Sequence, residues 1–323
     1  MSRSICCKES EMFIVAVIGC GGIGNAHANS WKQVEGAELV GVVDLLEDKA
    51  RQSAEKFGCG WFTDMNALPA DLDAVSVVTP PRGHYPVAKA MLEKGLNVYC
   101  EKPLTLVPEQ GEELDRLAAA KGKVLSVGFK MRFEPIFIKA KELVGQVGAI
   151  RSIVTTKQQK FNDRPEGQWV KSTGAMYELS IHDFDLVSYI TGRYPEKVLA
   201  AKLMHRRGWE KEDAFNAIVQ YDNGAIANLQ GMYCDDTTFC YRDLTITILG
   251  ENGYMRIERP DRIVMHTSEY KVIDIPSASV NTFAVELGLF KDACEGKGPN
   301  AQPAADAVRM TRLIEDIRAF DAQ

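Results

Sequence analysis

Gly19-Cys20-Gly21-Gly22-Ile23-Gly24 follows directly on an apolar run at residues 15–18 and fits the pattern GxGxxG. A strand, this turn and then a helix make one of the few short patterns that dictate both a fold and a ligand. Gly19 permits the tight turn, Gly21 and its neighbours Gly22 and Ile23 let a pyrophosphate approach the backbone, and Gly24 lets the helix pack closely on the strand. The free N–H groups of the helix N-terminus then face the phosphate charge. Twenty positions after Gly24 stands Asp44, at the end of the next apolar run, where a carboxylate binds the hydroxyls of the adenosine ribose. A 2′-phosphate there would be repelled by roughly 4 kcal/mol, taking unit charges ~4 Å apart and an effective dielectric of ~20. Leu45 and Leu46 follow, where an Arg or Ser would suit that phosphate, and Lys49 and Arg51 lie a turn into the next helix. The expected cofactor is NAD, in preference to NADP.

The rest of the first third agrees with that turn. Residues 13–18, 39–43, 74–78, 96–100 and 124–127 are continuous apolar runs, as in strands buried on both faces of a parallel sheet. Helical stretches are predicted between them at 46–57, 86–93 and 108–120, so βα units repeat and the sheet is doubly wound. After a helix at 134–144 the pattern changes. Strands are predicted at 150–158, 197–204, 214–221, 225–232, 244–249 and 253–257, with Asp222-Asn223-Gly224 and Glu251-Asn252-Gly253 as hairpin turns. One helix, 175–190, interrupts them, and two more, 282–295 and 304–320, close the chain. The expected fold is a Rossmann-type α/β domain over residues 13–128 and an α+β domain with a largely antiparallel open sheet over 129–323. Residues 1–12 are expected to be a frayed tail, and the final helix to return to the first domain.

At 323 residues, two cores are a better expectation than one. The net charge of −6 gives no electrostatic reason to bind nucleic acid or anionic membrane. No run approaches the ~18 apolar residues of a membrane span. Eight cysteines (Cys6, Cys7, Cys20, Cys59, Cys100, Cys234, Cys240 and Cys294) match neither a zinc pattern nor a CxxC pair. They are expected to be reduced and mostly buried in a cytoplasmic protein, with no metal.

Two further segments carry chemistry. Cys100-Glu101-Lys102-Pro103 ends the fifth run, where ligands gather in doubly wound sheets. In Gly174-Ala175-Met176-Tyr177-Glu178-Leu179-Ser180-Ile181-His182-Asp183, an α-helix would place Glu178 and His182 one turn apart on one face. The plainer reading is a solvated Lys102, a surface ion pair of Glu178 with His182, and Asp183 and Asp185 as solvated charge.

With the glycine turn, these segments resemble the glucose-fructose oxidoreductase / inositol dehydrogenase / rhizopine catabolism family, over nearly the whole chain after residue 12. The resemblance is carried by the glycines with His27 nearby, Thr79-Pro80 after the fourth strand, Glu101-Lys102-Pro103, and the segment leading to His182. It implies that Thr79, Pro80, His84, Glu101 and Lys102 contact the cofactor. It also implies that Lys102 stands between the nicotinamide ribose and the substrate hydroxyl. His182 would be the acid/base, a role suited to an unperturbed pKa of ~6.5, with Glu178 assisting. Three departures stand out: Glu178 where relatives often have Asp, Lys130 where many have an amide, and a glycine-rich segment reduced to Ser172-Thr173-Gly174-Ala175. Lys130, Trp169 and Tyr177 are candidates for substrate contact, although core packing suits the two aromatics equally.

The expected activity is NAD-dependent hydride transfer at a secondary hydroxyl or ketone of a sugar, polyol or cyclitol. An NAD-dependent glycosidase, a sugar-nucleotide oxidase and a non-catalytic dinucleotide sensor are the alternatives. A homodimer or homotetramer paired through the second sheet is expected, because alternation at residues 225–230 leaves its far face incompletely polar.

Overall fold

A computed structural model of the chain describes residues 12–161, 163, 167–235, 243–276 and 280–323. Residues 1–11 of the expected tail, including Cys6 and Cys7, lie outside them, as does Cys240.

The apolar runs become β1 (Phe13–Ile18), β2 (Ala37–Val43), β4 (Ala74–Val77), β5 (Asn97–Cys100) and β6 (Leu125–Val127), joined by a short edge strand, β3 (Gly60–Phe62). All pair in parallel, in the order β3-β2-β1-β4-β5-β6. Helices α1 (Gly22–Trp31), α2 (Glu47–Phe57), α3 (Pro81–Glu93) and α4 (Pro108–Lys121) connect them. Every residue of β4 is buried, the condition that makes its sequence uniformly apolar. The winding reverses between β1 and β4, and the crevice beyond their C-terminal ends is where such sheets bind ligands. Two details differ from the sequence reading. β3 is missed because three half-exposed edge residues make no apolar run. α3 begins at Pro81 and carries Pro86 inside it, since either proline suits a first helical turn and only the packed fold selects the earlier one.

The second sheet has eight strands: β7 (Ile150–Lys160), β8 (Pro195–Met204), β9 (Ala214–Tyr221), β10 (Ile226–Cys234), β11 (Asp243–Gly250), β12 (Gly253–Glu258), β13 (Arg262–His266) and β14 (Tyr270–Asp274). Their order is β14-β13-β12-β11-β7-β10-β9-β8, antiparallel throughout except that β7 and β10 run parallel. Both predicted hairpin turns join antiparallel neighbours. β13 and β14 are additions, short strands with polar edges that carry little periodic signal.

Along β9, β10 and β11 buried residues alternate with accessible ones, so the sheet buries one face. Helices α5 (Pro135–Leu143), α7 (Ile181–Thr191) and α9 (Ala304–Asp321) pack with that layer, whereas α8 (Thr282–Cys294) crosses onto α1 and β5. α9 also meets α4 and β6, so the end of the chain closes against the first sheet's layer. The other face of the second sheet exposes Leu199, Ile218, Ile226 and Leu249.

The single helix expected over 175–190 is two pieces, preceded by a short helix of its own. α6 (Val170–Thr173) ends at Gly174, where φ is +91°; a π-helical turn runs from Met176 to Ser180; α7 then begins at Ile181. Glu212 imposes the break. Its carbonyl accepts the Ala175 amide at 2.8 Å and its carboxylate the Met176 amide at 3.1 Å. A local helical pattern cannot anticipate a partner 36 residues away. Among the described residues no helix is long and apolar enough to cross a membrane.

Candidate active site

The glycines of the first turn divide into two kinds. A Cβ on Gly19, whose φ is +111°, would lie 2.4 Å from the Val78 carbonyl oxygen, and one on Gly24 would lie 1.8 Å from the Gly19 oxygen. The fold itself requires those two. A Cβ on Gly21 or Gly22 would meet nothing within 4 Å, so no protein atom demands glycine there. Gly21 is the N-cap of α1 and Gly22 its first residue, with no side chain capping the free N–H groups and Ile23 beside them largely exposed. A cradle of this shape fits a pyrophosphate. Asp44 is tied into it: one carboxylate oxygen accepts the Cys20 amide at 2.9 Å and the other the Leu46 amide at 2.9 Å. Leu45 is fully displayed beside it, while Arg51 turns away to Glu47 and the face of Trp61. The crevice therefore offers a fixed carboxylate where a 2′-phosphate would lie, and Arg51 is directed elsewhere.

Thr79 and Pro80 lie across the crevice, where β4 leads into α3, and the buried Thr79 hydroxyl has no hydrogen-bond partner. Two further residues expected at the cofactor are buried. His84 is buried, with Nε2 2.7 Å from the Thr79 carbonyl oxygen and Nδ1 2.6 Å from that of Pro103. It ties together the two loops that border the crevice. Burial lowers its pKa, against the two carbonyls, which favour the charged ring. Glu101 is also buried. Its Oε1 meets His27 Nε2 at 3.0 Å, and its Oε2 accepts the amide of Lys102 at 3.0 Å. Burial opposes ionisation, but His27, Lys130 and Lys102 outweigh it and hold the carboxyl below its ordinary range.

Lys102 points the other way. Its Nζ donates to Glu178 Oε2 at 2.5 Å and to the Glu178 carbonyl at 3.3 Å, joining residues 76 positions apart. Both side chains are partly accessible, at 11% and 24%. Glu178 thus pairs with Lys102 rather than forming a surface ion pair with His182. The π-helical turn explains the change of partner, because the Ile181 amide bonds to Met176 and residues five apart stack. His182 opens α7, buried, with its ring edge-on to Phe129 at 6.3 Å between centroids. Asp183 and Asp185 are not solvated. Asp183 meets Lys157 at 2.7 Å, and Asp185 receives Arg132 through two nitrogens, with both aspartates essentially inaccessible.

The three substrate candidates separate. Lys130 lies 4.0 Å over the Phe283 ring and contributes positive charge beside Glu101. Trp169 is half-buried against Val170, Ala175, Leu179 and Tyr233. Tyr177 is core: its hydroxyl lies 3.0 Å from both the Leu106 carbonyl and Glu315. Several residues that build the site escaped sequence reading. Arg132, Lys157, Glu212 and Glu286 are ionisable groups held in the interior, and the partly buried Arg318 joins them, each with partners distant in sequence. Lys157 did leave a trace, since it continues the inward-facing series Ile153, Thr155 on β7.

Residues 13–129 match the model of the GFO/IDH/MocA oxidoreductase family with its NAD-binding Rossmann fold, and residues 137–256 match the family's C-terminal domain. The chain belongs to this family. The UDP-N-acetylglucosamine 3-dehydrogenase of Acidithiobacillus ferrooxidans is 31% identical over 66% of this chain and 64% of its own length. The solved structure of that enzyme superposes with a TM-score of 0.84 at 25% identity, covering 96% of this chain and 98% of the other. The NAD(+)-dependent scyllo-inositol 2-dehydrogenase of Bacillus subtilis is 27% identical over 94% of this chain and 89% of its own. Gly21, Gly22 and Asp44 thus lie in a GFO/IDH/MocA Rossmann domain, whose cofactor is NAD.

Proposed function

We propose that this member of the GFO/IDH/MocA family oxidises a secondary hydroxyl of a sugar, polyol or cyclitol, or reduces the matching ketone, with Lys102, His182 and Glu178 as its catalytic residues. The observation that supports it most is the Lys102–Glu178 pair, which ties a loop at the C-terminal edge of the first sheet to the π-helical turn leading to His182. NAD supplies the hydride acceptor when bound. Gly21, Gly22 and the α1 N-terminus hold its pyrophosphate, Asp44 its adenosine ribose, and Thr79 and Pro80 line the facing wall. The Lys102 cation orients the substrate hydroxyl and favours its deprotonated form, and His182 takes the proton. Glu178 fixes the Lys102 ammonium and accepts from a neighbouring substrate hydroxyl. Lys130 and Trp169 would supply a cation and an aromatic surface for a polar ring.

Residues 13–128 act in this reading as the dinucleotide domain and 129–323 as the substrate domain, in a cytoplasmic homo-oligomer joined through the outer face of the second sheet. Light scattering on a gel-filtration column tests the assembly, and a purely monomeric mass would refute it. A sugar-nucleotide substrate is the second reading, favoured by the 31% identity to the UDP-N-acetylglucosamine 3-dehydrogenase. A dinucleotide sensor needs no Lys102–Glu178 pair. A panel of inositols, hexoses and UDP-sugars, assayed by nicotinamide absorbance with both cofactors, tests these readings. Turnover of one class identifies the substrate, and binding of NAD with no turnover of any would favour the sensor.

A further inference from the structure

Behind Lys102 the protein buries more ionisable chemistry than the reaction uses. His27 from α1, Glu101 from the end of β5 and Glu286 from α8 bring ring nitrogen and carboxylate oxygens within 4.8 Å of one another. All three are buried. Tyr99, Gln302, Lys102 and Lys130 also face them, and His84 and Cys100 feel the charge of Glu101. Glu286 Oε2 accepts from the Gln302 amide at 2.9 Å, and the Tyr99 hydroxyl faces the same carboxyl closely enough to favour its ionised form; among the described residues His27 Nδ1 has no hydrogen-bond partner. Two adjacent carboxylates with so little water cannot both stay ionised at modest energetic cost.

We propose that Glu286 and His27 are positioning residues for Lys102, acting through Glu101, and that the Glu101–Glu286 pair keeps one proton while the enzyme is active. This rests on the catalytic reading of Lys102 above. His27 holds one oxygen of Glu101, which leaves the other to accept the Lys102 amide and so fixes the backbone from which the ammonium extends. A Cβ on Gly128 would lie 2.9 Å from the Glu101 carboxylate, so the neighbouring strand end confines that carboxylate as well. The proton resides on Glu286, whose pKa is pushed up to about 8, chiefly by burial and then by the charge of Glu101. Once it is lost, Glu286 repels Glu101, and the Lys102 backbone loses its acceptor geometry.

The test is Glu286→Gln, which keeps the shape and a neutral amide but has no proton to lose. Because folding raises the Glu286 pKa, its stabilising effect is full below the unfolded value and is lost as pH rises through about 8. The wild-type melting temperature, measured on the protein without cofactor, should therefore fall relative to that of the variant as pH rises from the ordinary carboxyl value of 4.5 to about 8, and level off above it. In turnover, wild-type kcat should drop about 3- to 10-fold as pH rises through about 8, less than the ~10²-fold of a full 1 Å misplacement. Glu286→Gln should lose that limb. His27→Ala should lower kcat with little change in KM for NAD, and His27→Gln, which restores a donor, should recover part of it. Identical alkaline limbs in wild type and Glu286→Gln would overturn the proposal. So would one equivalent of a divalent metal in the purified protein, since a cation among these three groups would replace the proton. If Lys102→Ala retains full turnover, the catalytic reading itself fails; if Lys102→Ala is inactive and the limbs coincide, only the present inference fails.

Discussion

In the proposed function Asp44 selects the cofactor and Lys102 serves the reaction, and each role can be tested separately. The Asp44 carboxylate is held by the Cys20 and Leu46 amides, so it cannot swing aside for a 2′-phosphate. Asp44→Ser should narrow the preference for NAD over NADP by weakening a repulsion of roughly 4 kcal/mol at an effective dielectric of ~20. Calorimetry with both cofactors measures it, and an unaltered ratio would count against the assignment. Lys102→Ala and His182→Ala should each lower kcat by ~10²–10⁴, the range of a positioned proton-transfer group, while NAD affinity changes little. Near-wild-type turnover in either variant on an identified substrate would remove that residue from the mechanism. These residues stand out in the sequence because they lie in short motifs. The same motifs say nothing of which way a side chain turns, and so do not tell that His84, Glu101 and Tyr177 are buried. His84 and Glu101 turn inward because backbone carbonyls and His27 are there to receive them.

The π-helical turn is the element on which the site's geometry rests. It exists because Glu212 accepts the Met176 amide and is itself held by Arg318, which also donates to the Thr173 carbonyl. Gly174 must remain glycine at that junction: φ is +91°, and a Cβ would lie 2.2 Å from Glu212 Oε1. Gly174→Ala should destabilise the protein by at least ~1–3 kcal/mol. It should also lower kcat by displacing Glu178 from Lys102, while NAD binding, which depends on the first sheet, persists. Urea unfolding and cofactor titration of the one variant check both halves, and unchanged kcat per folded molecule would separate the turn from catalysis. The strands around it were readable from alternation and hairpin turns. The turn was not, because its cause lies in a different part of the chain.

At the scale of the whole molecule, the two sheets are joined by buried charge as well as by apolar contact. Arg132, just past the first sheet, reaches Asp185 on α7 and Asp306 on α9, with 2.9 Å to the latter. Asp185 is inaccessible, and its pKa is raised by burial against the pull of Arg132. Removing one partner of a buried pair leaves a charge uncompensated, so Asp185→Asn should cost ~3–5 kcal/mol. Because the network ties α7 and α9 to the end of the first sheet, the loss should shift a single unfolding transition. Two separate transitions in the wild type would show that the sheets fold independently of this network.

The sequence by itself determined the parallel sheet, the glycine turn between β1 and α1, and the places of Asp44 and Lys102 just past strand ends, because each depends on residues close in the chain and on the periodicity of burial. It also determined the antiparallel character of the second sheet, through alternation and two Asn-Gly turns. Tertiary structure alone decided that Glu178 pairs with Lys102, that the helix before His182 is broken, and that Asp183, Asp185 and Lys157 lie inside. The physical reason is common to all three. A charged side chain far from its partner in sequence reads as solvated, and only the fold supplies the opposite charge and the amides that let it leave water.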